Sequence, residues 1–255
     1  MTYTVKDLYQ FLDSLAPFST QEDWDNSGFL VGDLNKEVHK VALCLDVTMD
    51  TLRQAKDFGA DLVVSHHPVI FHPLKTVPAD SPVFYAIENG MGLLAAHTPW
   101  DAADGGVNDV LATLLGLTDI HKIGPEENGV QMLRAGRLKT AVPAAEFADI
   151  VATALNTVVR VSSATKEIQT VAVCGGAGCS FLPALAAGGN IDAFVTGDAK
   201  HNDFLDAIDY DIALLAAGHY ETETVSVPVL LNLLQQEFPE LDYRYLESAP
   251  VAYIG

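Results

Sequence analysis

Apolar runs of strand length alternate along this chain with segments whose apolar residues recur at helical spacing, the pattern of a mainly parallel sheet with helices on its faces. Val5 to Leu15 predicts a helix, with Thr4 as N-cap and Val5, Leu8, Phe11, Leu12 and Leu15 on one side. HKVALCLDV reads as a strand, and Asp50 to Phe58 as a helix closed by Gly59. Strand ADLVVS, helix PVFYAIENG, strand MGLLAA and helix VNDVLATLLGL continue the alternation. Asp119 to Pro143 is weakly periodic and contains Gly124, Pro125, Asn128 and Gly129, which predicts a junction. A second series follows: helix AAEFADIVATALNT, strand TVAVCGG, a short helix from Ser180, strand AFVTG, helix HNDFLDAI, strand IALLAAG, helix TETVSVPVLLNLLQQEF and strand DYRYLE. The expected fold is therefore α/β, as two similar halves over residues 1–120 and 144–255 joined by a junction over 121–143. No residue-level repeat is apparent between the halves.

Composition leaves that picture intact and narrows the function. With 255 residues, 49% of them hydrophobic, the chain can bury its own core. The start, MTYTVKDLYQFLDSLAPFST, has neither the basic region nor the apolar run of a secretory signal, and no apolar stretch reaches the roughly 18 residues of a membrane span. A cytoplasmic protein without a membrane segment is expected. Cys44, Cys174 and Cys179 are too few for a disulfide framework and are expected to pack as thiols. Lys and Arg number 14 against 34 Asp and Glu, a net charge of −20. A surface of that sign repels phosphate backbones, which argues against nucleic acid as a partner.

Three apolar strands end at histidine: DLVVS at His66 and His67, GLLAA at His97, and IALLAAG at His219. Ligands of open parallel sheets bind outside the carboxyl ends of the strands, so these ends can converge on one crevice. One histidine beside an apolar run is ordinarily structural, but three strand ends share the signature. Successive side chains on a strand point to opposite sides, so the doublet suits two ions a few ångström apart better than one. The alternative for SHHP is a polar turn.

His219 and Glu223, four apart in GHxxxE at the start of the last long helix, face the same side, and imidazole with carboxylate suits zinc, iron or manganese. Of the two carboxylates after His97, Asp101 is the expected ligand, in HxxxD spacing, and Asp104 the N-terminal helper of the next helix. Lys75, Arg137, Lys200 and the amides of GGAG at 175–178 are the candidates for a substrate phosphate. That glycine turn lacks both the dinucleotide fingerprint and the P-loop lysine, and reads better as a tight strand-to-helix turn.

WDNSG at 24–28, SHHPVIF at 65–71, AAHTPWDAADGGVND at 95–109, TGD at 196–198 and GHYETE at 218–223 together resemble the Nif-three-like family, whose members are also described as homologues of the type 2 form of GTP cyclohydrolase I. The resemblance runs in order through nearly the whole chain. It implies the Nif-three-like fold and two divalent ions held by His66, His67, Asp101, His219 and Glu223. His67 and Asp101 would hold one ion, His66 and His219 the other, and Glu223 would bridge. His97 would stand beside them as a proton-transfer group. It also implies a toroidal homohexamer. Trp100, Thr222 and Asn202 depart from the usual pattern, the last leaving His201 as a stand-in for proton transfer on its helix.

A metal-dependent hydrolase acting on a nucleotide or phosphoester is the leading expectation. Ring opening of GTP would use His97 as proton shuttle, whereas phosphoester hydrolysis would use the ions as a clamp. The rival is a non-enzymatic metalloprotein serving as regulator, metal-handling factor or scaffold, favoured by the scarcity of Lys and Arg near the ligands.

Overall fold

The computed structural model describes residues 2–162, 165–247 and 249–251, and the chain divides into two compact units. The first contains the chain through Ala103 and again Val227–Ala249; the second contains Asp104–Ser226 and the segment from Pro250.

The sheet of the first unit has the order Asp242–Tyr245, Lys40–Cys44, Leu62–Ser65, Gly92–Ala95, Gly28–Val31. The first four strands run parallel and the last is antiparallel to its neighbour. Every residue of LVVS and GLLA is buried, which is why these strands read as continuous apolar runs. Helix Met49–Phe58 crosses between the first two of the inner strands. Thr48 Oγ1 accepts the Thr51 amide at its start, and Gly59, at φ 78°, ends it in the left-handed conformation that a β-carbon disfavours. Leu52 and Ala55 of this helix pack with Val63, Val83 and Leu93. Helix Val5–Leu15 has the predicted bounds, and the Asp7 carboxylate accepts both the amide and the hydroxyl of Thr4 at 2.7 Å.

The sheet of the second unit has the order Thr118–Glu127, Val130–Pro143, Glu167–Cys174, Ala193–Thr196, Ala213–Ala216, Arg160–Val161. Its three central strands are parallel and the outer ones antiparallel. The expected junction over 121–143 is thus a long hairpin of this sheet. Asn128 and Gly129, at φ 51° and 80°, form its two-residue turn, where Asn-Gly tolerates two successive positive φ values. The division between units falls at Ala103 rather than 120. Phe147, fully buried, centres the core between helix Ala144–Leu155 and the sheet, against Val151, Val171 and Val195.

A single last helix was expected from TETVSVPVLLNLLQQEF. Two are found, His219–Thr224 and Val227–Glu237, and they belong to different units. Pro228 explains the break, because its ring collides with the carbonyl four residues back and it has no amide to donate. Among the described residues no helix is long and apolar enough to cross a membrane.

Replacing Phe147 by Ala should destabilise the second unit by about 3 to 5 kcal/mol through the cavity left in its core. Equilibrium urea unfolding measures this, and a loss under about 1 kcal/mol would show that the ring is not packed as described.

Candidate metal centre

In the first unit the chain leaves strand Leu62–Ser65 with the His66 amide donating to Cys44 O at 3.2 Å and the His67 amide to Leu45 O at 3.0 Å. The doublet lies past the end of the strand, so the alternation of a pleat does not separate its rings. They stand 4.9 Å apart, centroid to centroid. His66 Nδ1 meets Ala96 O at 2.9 Å, and a carbonyl only accepts, so Nδ1 carries the proton and Nε2 the lone pair. That Nε2 lies 3.5 Å from Asp101 Oδ1. His67 Nδ1 is held by Asp46 Oδ1 at 2.8 Å, and His97 Nδ1 by Asp25 Oδ1 at 2.7 Å. One ring nitrogen from each of His66, His67 and His97 falls within 4.8 Å of the others, a set that could hold a metal ion.

Asp25 is the centre of a dense network. Its side chain is fully buried, and it accepts from His97 Nδ1, the Asn26 amide, Ser27 Oγ, and both the amide and the hydroxyl of Thr98. Burial opposes its ionisation, but the hydrogen bonds and charge of His97 and the hydroxyls of Thr98 and Ser27 outweigh burial and hold the carboxyl well below the usual carboxylate range.

In the second unit strand Ala213–Ala216 leads through Gly218 into helix His219–Thr224. His219 Nδ1 meets Asp198 Oδ2 at 2.7 Å, and His219 Nε2 lies 3.1 Å from Glu223 Oε2 one turn on. The hydrogen bond to Glu223 raises the His219 pKa to about 9, with burial opposing and Asp198 adding. A half-buried imidazole that attracts a proton so strongly between two carboxylates also suits a cation in the proton's place. Glu223 itself is buried.

Glycines make this packing possible. A β-carbon on Gly176, at φ 62°, would run into the Glu223 carboxylate, and one on Gly197 would stand 2.6 Å from Gly176 O and 2.7 Å from His219 Cα. The amides of Gly175, Gly176 and Gly178 donate to Asn108 Oδ1, Thr222 Oγ1 and Thr196 Oγ1. GGAG is therefore the tight turn, with three of its amides committed inside the protein rather than offered to a phosphate.

The remaining candidates are scattered. Asp104 does not cap helix Val107–Leu114, whose N-cap is Gly106; it is exposed and pairs with Lys122 at 2.7 Å. Arg137 reaches Thr170 Oγ1 on the sheet, and Lys75 and His201 are exposed. Lys200 lines a cavity of about 700 Å³ with Arg160, Cys179, Ser180 and Asp198. A smaller cavity of about 350 Å³ is lined by His219, Asp198, Arg160 and Val158. Burial pushes the Cys44 and Cys179 thiols up to about 12, which fits packing rather than nucleophilic roles. Trp100 is buried, and its indole Nε1 has no hydrogen-bond partner among the described residues.

Three roles escaped sequence reasoning: Asp25 and Asp198, which stand within WDNSG and TGD, orient His97 and His219, and Asp46 orients His67. A local repeat escaped it too. The tetrapeptide LLAA occurs at 93–96 and 214–217, followed directly by His97 and, after Gly218, by His219, each with a carboxylate four residues on, HxxxD and HxxxE.

A family model described as DUF34/NIF3 (NGG1p interacting factor 3) matches residues 3–249. A Nostoc protein named GTP cyclohydrolase 1 type 2 homolog is 32% identical over 241 residues, 91% of each chain, and a Streptomyces coelicolor protein of the same name is 34% identical over 83% of this chain and 79% of its own. A crystal structure of a Staphylococcus aureus hypothetical protein superposes with a TM-score of 0.90 at 27% identity, covering 98% of this chain and 99% of that one. With motif order, fold and histidine–carboxylate groups in agreement, the chain belongs to the DUF34/NIF3 family.

Proposed function

We propose that His66, His67, Asp101, His219 and Glu223 together hold two divalent ions, zinc, iron or manganese, and that the pair serves the hydrolysis of a nucleotide or phosphoester. The observation that carries this reading is the anchoring of Nδ1 on every candidate histidine ligand, to Ala96 O, Asp46 and Asp198, which turns Nε2 outward as the donor. That the residues of both units serve one centre rests on the family resemblance, as does the homohexamer. The 3.5 Å approach of His66 Nε2 to Asp101 Oδ1 favours these two on one ion, with His67 on the other, a reversal of the assignment that the resemblance implied.

Two cations in such a donor set supply Lewis acidity and acidify water. The protein's own part is proton transfer and orientation. Asp25 fixes His97 in the tautomer with Nδ1 protonated, so Nε2 takes a proton from the attacking water, and the ionised Asp25 stabilises the imidazolium that results. Asp46 and Asp198 hold their imidazoles so that no reorientation is needed when a cation binds. The names of the relatives favour GTP ring opening as the reaction.

Protein purified without chelators should contain about two ions per chain by elemental analysis. Zero or one would defeat the dinuclear reading. His66→Ala combined with Glu223→Ala should lose both ions and remain folded by circular dichroism. Turnover of GTP and of a phosphoester panel with added Mn, Fe or Zn decides between enzyme and non-enzymatic metalloprotein: bound metal with no turnover of any substrate favours the latter.

Asp198→Asn should weaken binding of the ion on His219 about 10- to 100-fold, because the amide no longer fixes the imidazole as the carboxylate does. Competition against a chromophoric chelator measures it. Unchanged affinity would remove Asp198 as a positioning residue.

A further inference from the structure

Most of the large apolar side chains of the first unit are buried, yet Trp24 is 55% and Phe71 40% exposed. Their rings lie 21° from parallel with centroids 6.5 Å apart, and both stand near-perpendicular to the His97 ring, at 74° and 86° with centroids 5.5 and 5.6 Å away. Exposed aromatics on loops ordinarily dissipate their position in rotamer freedom. These two are fixed through their neighbours. Asp25, next to Trp24, holds His97 and Thr98, and Asn26 Nδ2 donates to Ile70 O at 2.6 Å, next to Phe71. The same short segment therefore positions the proton-transfer imidazole and ties down the segments that carry both exposed rings.

We propose that Trp24 and Phe71 are a stacking surface that binds the planar conjugated ring of the substrate and delivers it to His97. The inference rests on the proposed function in taking His97 as the reacting group. Near-parallel aromatic faces match a flat heterocycle, whose π-face stacks without regard to its edge groups. Charge favours the same occupant. A chain of net charge −20 repels a phosphate group, so ring stacking carries affinity that anion binding does not. His97, with its centroid 5.5 and 5.6 Å from the two rings, places a base beside a ring stacked on them, where a ring-opening hydrolysis exchanges its protons.

The chain has two tryptophans, and Trp100 is buried, so Trp100→Phe leaves Trp24 as the fluorescent reporter. Titration of this full-length variant with guanosine and with GTP should quench its emission saturably, whereas ribose 5-phosphate should not. By calorimetry on the otherwise unaltered protein, Trp24→Ala and Phe71→Ala should each weaken guanosine binding by roughly 5- to 100-fold, and Trp24→Phe should restore most of it. Metal content should stay at its wild-type value in all three. Equal binding of guanosine by wild type and Trp24→Ala, or equal binding of ribose 5-phosphate and GTP, overturns the proposal. So does a Trp24 emission that shifts with protein concentration alone, which would give the surface to a second copy of the chain. Ring binding in a protein that turns over none of its substrates supports the stacking surface while removing the hydrolase, so the two readings fail separately.

Discussion

The hydrogen bond at Nδ1 of His66, His67 and His97 in the first unit, and of His219 in the second, is the interaction on which the candidate metal-binding groups depend. A free imidazole presents either nitrogen and exchanges tautomers, so clustered histidines have no defined donor direction. Here Asp25, Asp46, Asp198 and the Ala96 carbonyl accept hydrogen bonds from Nδ1 of His97, His67, His219 and His66. Each acceptor selects one tautomer and fixes one ring orientation, leaving Nε2 to meet a cation or a proton. Part of the acidity of this chain is thus structural: three of its carboxylates orient imidazoles.

Such acceptors work only if the backbone that carries them is rigid, and the sheets supply that. The strands Leu62–Ser65, Gly92–Ala95 and Ala213–Ala216 are buried throughout and locked by parallel ladders, so the chain leaves each at a fixed point and direction. Twice the exit is LLAA followed by a short helix with histidine and carboxylate one turn apart. Neither helix exceeds six residues, so neither derives its stability from its own length. Each is held by what its side chains bond: Thr98 to Asp25, and Thr222 to the Gly176 amide.

The parts legible in the sequence were those whose cause is local. Val5–Leu15 could be read to the residue because amphipathic spacing and its cap lie within one segment. The strand-end histidines could be read because a buried parallel strand is a continuous apolar run and its end is abrupt. The hairpin over Thr118–Glu127 and Val130–Pro143 could not, since its first strand is exposed on both faces and lacks the alternation that marks a half-buried strand. Asp25, Asp46 and Asp198 could not either, for a carboxylate 72 or 21 residues from the histidine it orients has no spacing to betray it.

Asp25 joins these themes, and its chemistry explains why a carboxylate must stand there. Its two oxygens receive five hydrogen bonds, all from donors: an imidazole, two backbone amides and two hydroxyls. An asparagine would offer one oxygen and turn an NH₂ group toward the remaining donors, leaving them unsatisfied inside the protein. An ionised carboxylate accepts from all of them, and they in turn keep it ionised despite its burial. The contacts that keep Asp25 ionised are thus the same ones that orient His97 and fix the segment between Trp24 and Asn26. The orientation of His97 and the placement of the rings beside it are set by one network, so a change that loosens it disturbs both.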